Sequence, residues 1–164
     1  MKKRVIIIVV IALVAGLAFW LAGKYNAMVT AEENVTTAWS QVENQYQRRS
    51  DLIPNLVATV KGYAEHESSV FENVTEARAR ATQLTLSENA TPEQMMAFQQ
   101  AQGELTQALG RLLALAENYP DLKANENFRD LQAQLEGTEN RIAVARNAFN
   151  EAAKAYNILI RKFP

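Results

Sequence analysis

AWSQVENQYQRRSDLIPNLVATVKGYAEHE, residues 38–67, decides the fold. Within it Trp39, Val42, Tyr46, Arg49, Ile53, Leu56, Val60, Tyr63 and Glu67 recur on a strict alternation of four and three. The count extends backward through Val35, Glu32, Met28 and Tyr25, and forward through Val70, Val74, Ala77, Ala81 and Leu84. A 3.5-residue period sustained over this length is the pattern of a long helix packed lengthwise on other helices. Pro54 lies inside the seam without shifting its phase. Loop residues are not on the helical clock, so a turn normally resets such a count. The unbroken phase therefore favours one kinked helix over about residues 24–86, with a tight break near 51–54 as the alternative.

Residues 87–92, SENATP, form the clearest interruption of the chain. Thr91 suits an N-cap, Pro92 the first helical position, and Gln94 completes a capping box. The next helix is predicted over 92–118, with Met95, Phe98, Gln102, Leu105, Leu109, Leu112, Ala116 and Tyr119 as its seam. Tyr119-Pro120-Asp121 ends it, and Asp121 or Asn125 is placed to cap the final helix. That helix is predicted over 126–163, again on 4-3 spacing, through Phe128, Leu131, Leu135, Thr138, Ile142, Ala145, Phe149, Ala152, Tyr156, Leu159 and Phe163. No strand pattern or glycine-rich loop is present. The fold class is all-α: an elongated antiparallel bundle over residues 23–164, of three long helices, or four if the first breaks near Pro54.

Ahead of the bundle, Lys2-Lys3-Arg4 precedes VIIIVVIALVAGLAFWLA, residues 5–22, a run without a charge. At 1.5 Å per residue it spans roughly 27 Å, the thickness of a hydrocarbon core. A cleaved signal peptide is the competing expectation, but the run is long for one, and bulky Phe19 and Trp20 stand where small cleavage residues belong. The run is therefore expected to be a retained transmembrane anchor. The excess of cations on its N-terminal side places residues 1–4 in the cytoplasm and the bundle outside it.

Composition narrows the function. With 17 basic and 18 acidic residues the chain lacks the cationic surplus that nucleic acid requires. There is no cysteine and a single histidine, His66, so neither a thiolate nucleophile nor a histidine-rich metal set is available. No small-molecule substrate, cofactor or catalytic residue is predicted. Arg49 is the anomaly, a cation on an otherwise apolar seam. Either it snorkels to water where the seam opens at Pro54, or it pairs with Glu32, Glu43 or an acid on another helix and fixes register. Glu32, Glu67, Gln102 and Thr138 are further polar interruptions. Gly103 and Gly110, seven apart on one helix face, suit close helix packing. If the last helix turned away from the base of the bundle, Val35, Trp39, Val42, Tyr46 and Arg49 would stand uncovered and form the interface of a homo-oligomer.

Residues 25–67, from YNAMVTAEENVTTAWSQ through RRSDLIPNLVATVKGYAEHE, closely resemble the LemA family of bacterial membrane-anchored proteins. Ala77-Arg78 and the ending AYNILIRKFP, residues 155–164, carry the same resemblance. It implies a four-helix bundle facing away from the cytoplasm behind one N-terminal span of the inner membrane. A magnetosome-membrane branch of the family suggests, by analogy, organisation of membranes. The expected function is a non-enzymatic membrane-anchored scaffold of the envelope, acting on itself or on other envelope proteins; membrane remodelling or lipid contact is the alternative.

Overall fold

The computed structural model describes residues 2–84, 86 and 90–162. Five α-helices occur among them: α1 (Lys2–Lys61), α2 (Ser68–Gln83), α3 (Pro92–Leu115), a short α4 (Pro120–Ala124) and α5 (Glu126–Arg161). A single turn of 3-10 helix, Ala116–Asn118, joins α3 to α4. No strand occurs among the described residues. The chain divides into two compact units, Gln41–Ala145 and Met1–Ser40 with Arg146–Pro164.

α1 runs without interruption through Pro54, as the seam predicts. The chain reverses instead at residues 62–67, which the seam counts as helix. That segment is two tight turns, in which Tyr63 and Ala64 donate to the Val60 carbonyl and Glu67 donates to that of Ala64. Because the loop itself is made of helical turns, it returns the chain in nearly the same phase. Val60 and Val74, two heptads apart, are both fully buried although they lie on different helices. A periodicity count cannot detect a reversal whose loop preserves the count.

Gln41–Ala145 is an up-down-up-down four-helix bundle. α2 returns antiparallel to α1, with Arg78 reaching Ser50. α3 then runs parallel to α1, since Tyr46 and Arg49 meet Phe98 and Gln102 in the same order. α5 is antiparallel to α1: Asn125 at its start reaches Tyr63 at 3.0 Å, and Glu139 reaches Arg49. Ile53, Leu56, Val60, Phe71, Val74, Leu105, Leu109, Leu112, Phe128 and Leu135 form its continuous core. Leu122 on α4 closes one end and is fully buried.

The caps follow the sequence. The Gln94 amide donates to Thr91 Oγ1 at 3.3 Å and the Thr91 amide to Gln94 Oε1 at 2.8 Å, the reciprocal box expected there. A hydrogen bond to its own backbone amide, helped by the Thr91 side chain, holds the exposed Glu93 carboxyl below its ordinary pKa. Of the two residues able to cap the last helix, Asn125 does so, accepting from the Phe128 amide at 2.9 Å. Of SENATP, residues 87–89 lie outside the described set, as does Phe163 at the end of the last seam.

In the unit formed by Met1–Ser40 and Arg146–Pro164, α1 carries the apolar window, of mean hydropathy 3.0, none of it buried. Above the window α5 packs beside α1. Trp39 meets Phe149 edge-on, ring centroids 5.1 Å apart, and Met28, Ala31 and Val35 are half-buried, as are Ala152, Tyr156 and Leu159. Within this unit, residues that follow Phe149 can lie only along residues 28–38, so the last helix descends toward the apolar window. It does not turn back up.

Candidate functional site

The largest buried side chain among the described residues is a cation. Arg49 is 2% exposed on the face of α1 where the seam requires an apolar residue. Its Nη1 donates to Thr106 Oγ1 at 3.0 Å and to Glu139 Oε1 at 2.7 Å, and its Nη2 donates to Gln102 Oε1. The guanidinium also lies over the Tyr46 ring, 5.2 Å from its centroid. Burying an unpaired guanidinium would cost several kcal/mol, roughly; these partners are what make the position tolerable. Arg49 therefore does not snorkel. The partner acid is neither Glu32 nor Glu43 but Glu139 of α5, whose side chain is 36% exposed and keeps part of its hydration.

The layer extends to the fourth helix. Gln102 uses its amide nitrogen to reach the Ala81 carbonyl at 3.2 Å, near the C-terminus of α2, where helix carbonyls lack intrahelical donors. Thr106 donates to the Gln102 carbonyl at 3.0 Å. Arg78 of α2 donates from Nε to the Ser50 carbonyl at 2.8 Å. One turn of the bundle thus holds a polar layer that touches α1, α2, α3 and α5. Beside it lies a cavity of about 100 Å³, with Tyr46, Ser50, Ala81, Phe98 and Gln102 in its wall.

Chemically the layer is a fixed cation and its acceptors. A guanidinium does not give up its proton in proteins, and the layer presents no thiol, imidazole or activated hydroxyl. His66 lies apart in the exposed 62–67 turn; beside it, Glu67 accepts from the Tyr119 hydroxyl at 3.5 Å. Among the described residues no group of His, Cys, Asp and Glu could hold a metal ion. What the layer does supply is register. A helix slid by one residue would carry Arg49 away from Glu139 and Gln102 and leave charge buried without a partner.

The stripe expected at a homo-oligomer interface is covered by the chain itself. Val42 is 1% exposed and Arg49 2%. Tyr46 packs edge-on against Phe98 at 5.3 Å, and Trp39 packs against Phe149 in its own unit. Val35 is half-buried. The physical premise for self-association there, an uncovered apolar face, fails because the last helix descends. The glycines are corrected as well. Gly103 and Gly110 are exposed, and no neighbouring atom lies within 4 Å of where a Cβ would stand on either. No other helix of this chain packs closely against them. Gln102 and Thr138, by contrast, are buried polar residues at 8% and 0% exposure, as layers on a seam should be.

Sequence comparison gives these features a family. The LemA family model matches residues 38–164, which include Arg49, Pro54, Arg78, Gln102 and Glu139. The chain belongs to the LemA family. Relatives include magnetosome protein MamQ 2 of Paramagnetospirillum magneticum, 31% identical over 176 aligned positions and covering 96% of this chain and 64% of that protein. Magnetosome protein MamQ of Magnetospirillum gryphiswaldense is 31% identical over 86% of this chain and 58% of its own length. Protein LemA of Metamycoplasma hominis is 20% identical over 88% of this chain and 63% of its own length. The chain thus spans about three-fifths of the length of these LemA relatives.

Proposed function

We propose that this LemA-family chain is a non-enzymatic scaffold anchored in the bacterial cytoplasmic membrane, with residues 1–4 in the cytoplasm and the bundle displayed outside it. One observation supports this most directly. The apolar window and the first helix of the four-helix core belong to one uninterrupted helix, Lys2–Lys61, with no linker residues between them. A display element needs a surface of fixed shape, and the Arg49 layer supplies a fixed register among the helices that build it. The contacts it offers are to other envelope proteins, through the solvated faces of the bundle.

Site-specific photo-crosslinking in living cells tests the proposal. Reactive groups at exposed bundle positions such as Glu72, Arg80 and Arg111 should yield discrete heavier adducts from positions sharing one face, with neighbouring faces silent. Bands of the uncombined chain at every position would overturn it.

Lipid contact is a second reading, and the names of the magnetosome relatives suit it. The observation that favours it is a run of exposed cations without an acid at the end of α5, Lys154, Arg161 and Lys162.

A further inference from the structure

The last turns of α5 and the residues of α1 just beyond the span form a zone without a carboxylate. From Ala22 to Ala31 the only charged residue is Lys24, and from Asn157 to Lys162, which lie level with that stretch, the charged residues are Arg161 and Lys162. Acids begin above it, at Glu32 and Glu33 on α1, which lie level with Tyr156 and Ala155, and at Glu151 on α5. A balanced chain of 17 bases and 18 acids thus places three cations, Lys24, Arg161 and Lys162, and no anion in one zone.

Geometry puts that zone at the membrane surface. Trp39 and Phe149 set the level of α5 on α1. Descending from there at about 1.5 Å per residue, Arg161 and Lys162 come level with residues 27 and 26, roughly 6–8 Å from Ala22, where the apolar run ends. This distance is within the thickness of a headgroup layer.

The surface is shaped as well as charged. A groove of about 620 Å³ is lined by Ala153, Lys154, Asn157, Ile158, Arg161 and Lys162. Ile158 and Ile160 of α5 and Val29 and Tyr25 of α1 are exposed as well, at 42%, 47%, 45% and 63%. Lys24 lies over the Trp20 ring, 5.6 Å from its centroid. Exposed apolar side chains interleaved with cations suit an element lying in the interface, with alkyl groups toward the acyl boundary and cations among the phosphates.

We infer that the last turn of α5, through Arg161 and Lys162 and with Lys24 of α1, binds the headgroups of anionic phospholipids in the leaflet that the bundle faces. The inference rests on the membrane-anchored reading above and adds a ligand to it. Each cation held close to an anionic surface strengthens the attraction by roughly a factor of five. The contact therefore clamps the C-terminal turn of α5 to the bilayer in proportion to the anionic lipid present.

The full chain, reconstituted in nanodiscs of phosphatidylcholine alone or with added phosphatidylglycerol, tests this by amide hydrogen exchange. Residues 155–162 should exchange about fivefold more slowly, or slower still, in the anionic discs, while core amides of α3 stay the same. High salt or the double substitution Arg161→Glu/Lys162→Glu should abolish the difference, and free glycerol phosphate added to phosphatidylcholine discs should not reproduce it. Equal exchange in the two discs would overturn the inference while leaving the crosslinking test of the scaffold untouched. Slowing by free glycerol phosphate alone would assign the groove to a soluble anion and overturn it too.

Discussion

Arg78 completes a hydrogen bond that Pro54 takes away. The Ser50 carbonyl is the acceptor that residue 54 would ordinarily serve within α1, and proline has no amide hydrogen to give. Arg78 Nε occupies that acceptor from α2, at 2.8 Å. The proline ring also crowds this carbonyl, tilting it outward where a neighbouring helix can reach it. Two residues on different helices thus act on one oxygen.

A double-mutant cycle measures the relationship. Arg78→Ala leaves a carbonyl of a buried residue without its donor and should cost about 1–3 kcal/mol by chemical denaturation in detergent. Pro54→Ala restores an amide that can bond within the helix, so Arg78→Ala in that background should cost about 1 kcal/mol less. Additive effects would show that the two residues do not share the acceptor. Ser50→Ala is the companion control. Its hydroxyl has no hydrogen-bond partner among the described residues, so its loss should leave stability within about 0.5 kcal/mol.

The Arg49 layer predicts an asymmetry. Glu139→Ala removes the acid and leaves a buried guanidinium that cannot neutralise itself; with Glu139 about a third exposed, the cost should be about 2–3 kcal/mol, below that of a fully buried pair. Arg49→Lys should not preserve the layer, because an ammonium cannot fork between Gln102 on one side and Thr106 with Glu139 on the other. Denaturant midpoints of the wild type and the two variants check this. An Arg49→Lys chain as stable as wild type would mean that charge, not fork geometry, holds the layer.

How much of this the sequence carries depends on the range of the interaction. The 4-3 seams, the continuity of α1 through Pro54 and the Thr91-Gln94 box are local, and each is legible from spacing alone. The reversal at residues 62–67 is not, because its turns keep the helical count. Arg49 declares itself as an anomaly, yet its partner acid stands 90 residues away, and only the register of α5 against α1 selects Glu139. Gly103 and Gly110 show the limit of the same logic. A seven-residue spacing puts two residues on one face but does not say whether another helix or solvent lies opposite.

Those glycines give the simplest stabilising substitutions. Space is open at both positions and neither has a positive φ. Gly103→Ala and Gly110→Ala should each raise stability by about 0.5–1 kcal/mol through helix propensity. Thermal unfolding followed by circular dichroism should show the double variant melting higher. A lower melting temperature would mean that a partner surface packs against the glycine face.

Orientation is testable because the chain has no cysteine. Introduced singly, Glu65→Cys on the exposed turn and Lys2→Cys ahead of the span give clean reporters. In intact spheroplasts a membrane-impermeant maleimide should label position 65 and leave position 2 unlabelled until the membrane is opened. The reverse pattern would invert the topology.

Trp39 decides between an inner and an outer role for the stripe on α1. Its ring meets Phe149 at 5.1 Å, so Trp39→Ala should act on the chain's own helix pairing. Losing the aromatic pair and part of the apolar burial should cost about 2 kcal/mol. Local opening of residues 146–161 would then rise roughly thirtyfold, read as faster amide exchange along the end of α5. The mass of the detergent-extracted chain should not change, because the covered face is not what holds copies together. A fall in mass on substitution, with exchange in α5 unaltered, would instead make Trp39 an intermolecular contact and restore a homo-oligomer built on Val35, Trp39, Val42, Tyr46 and Arg49.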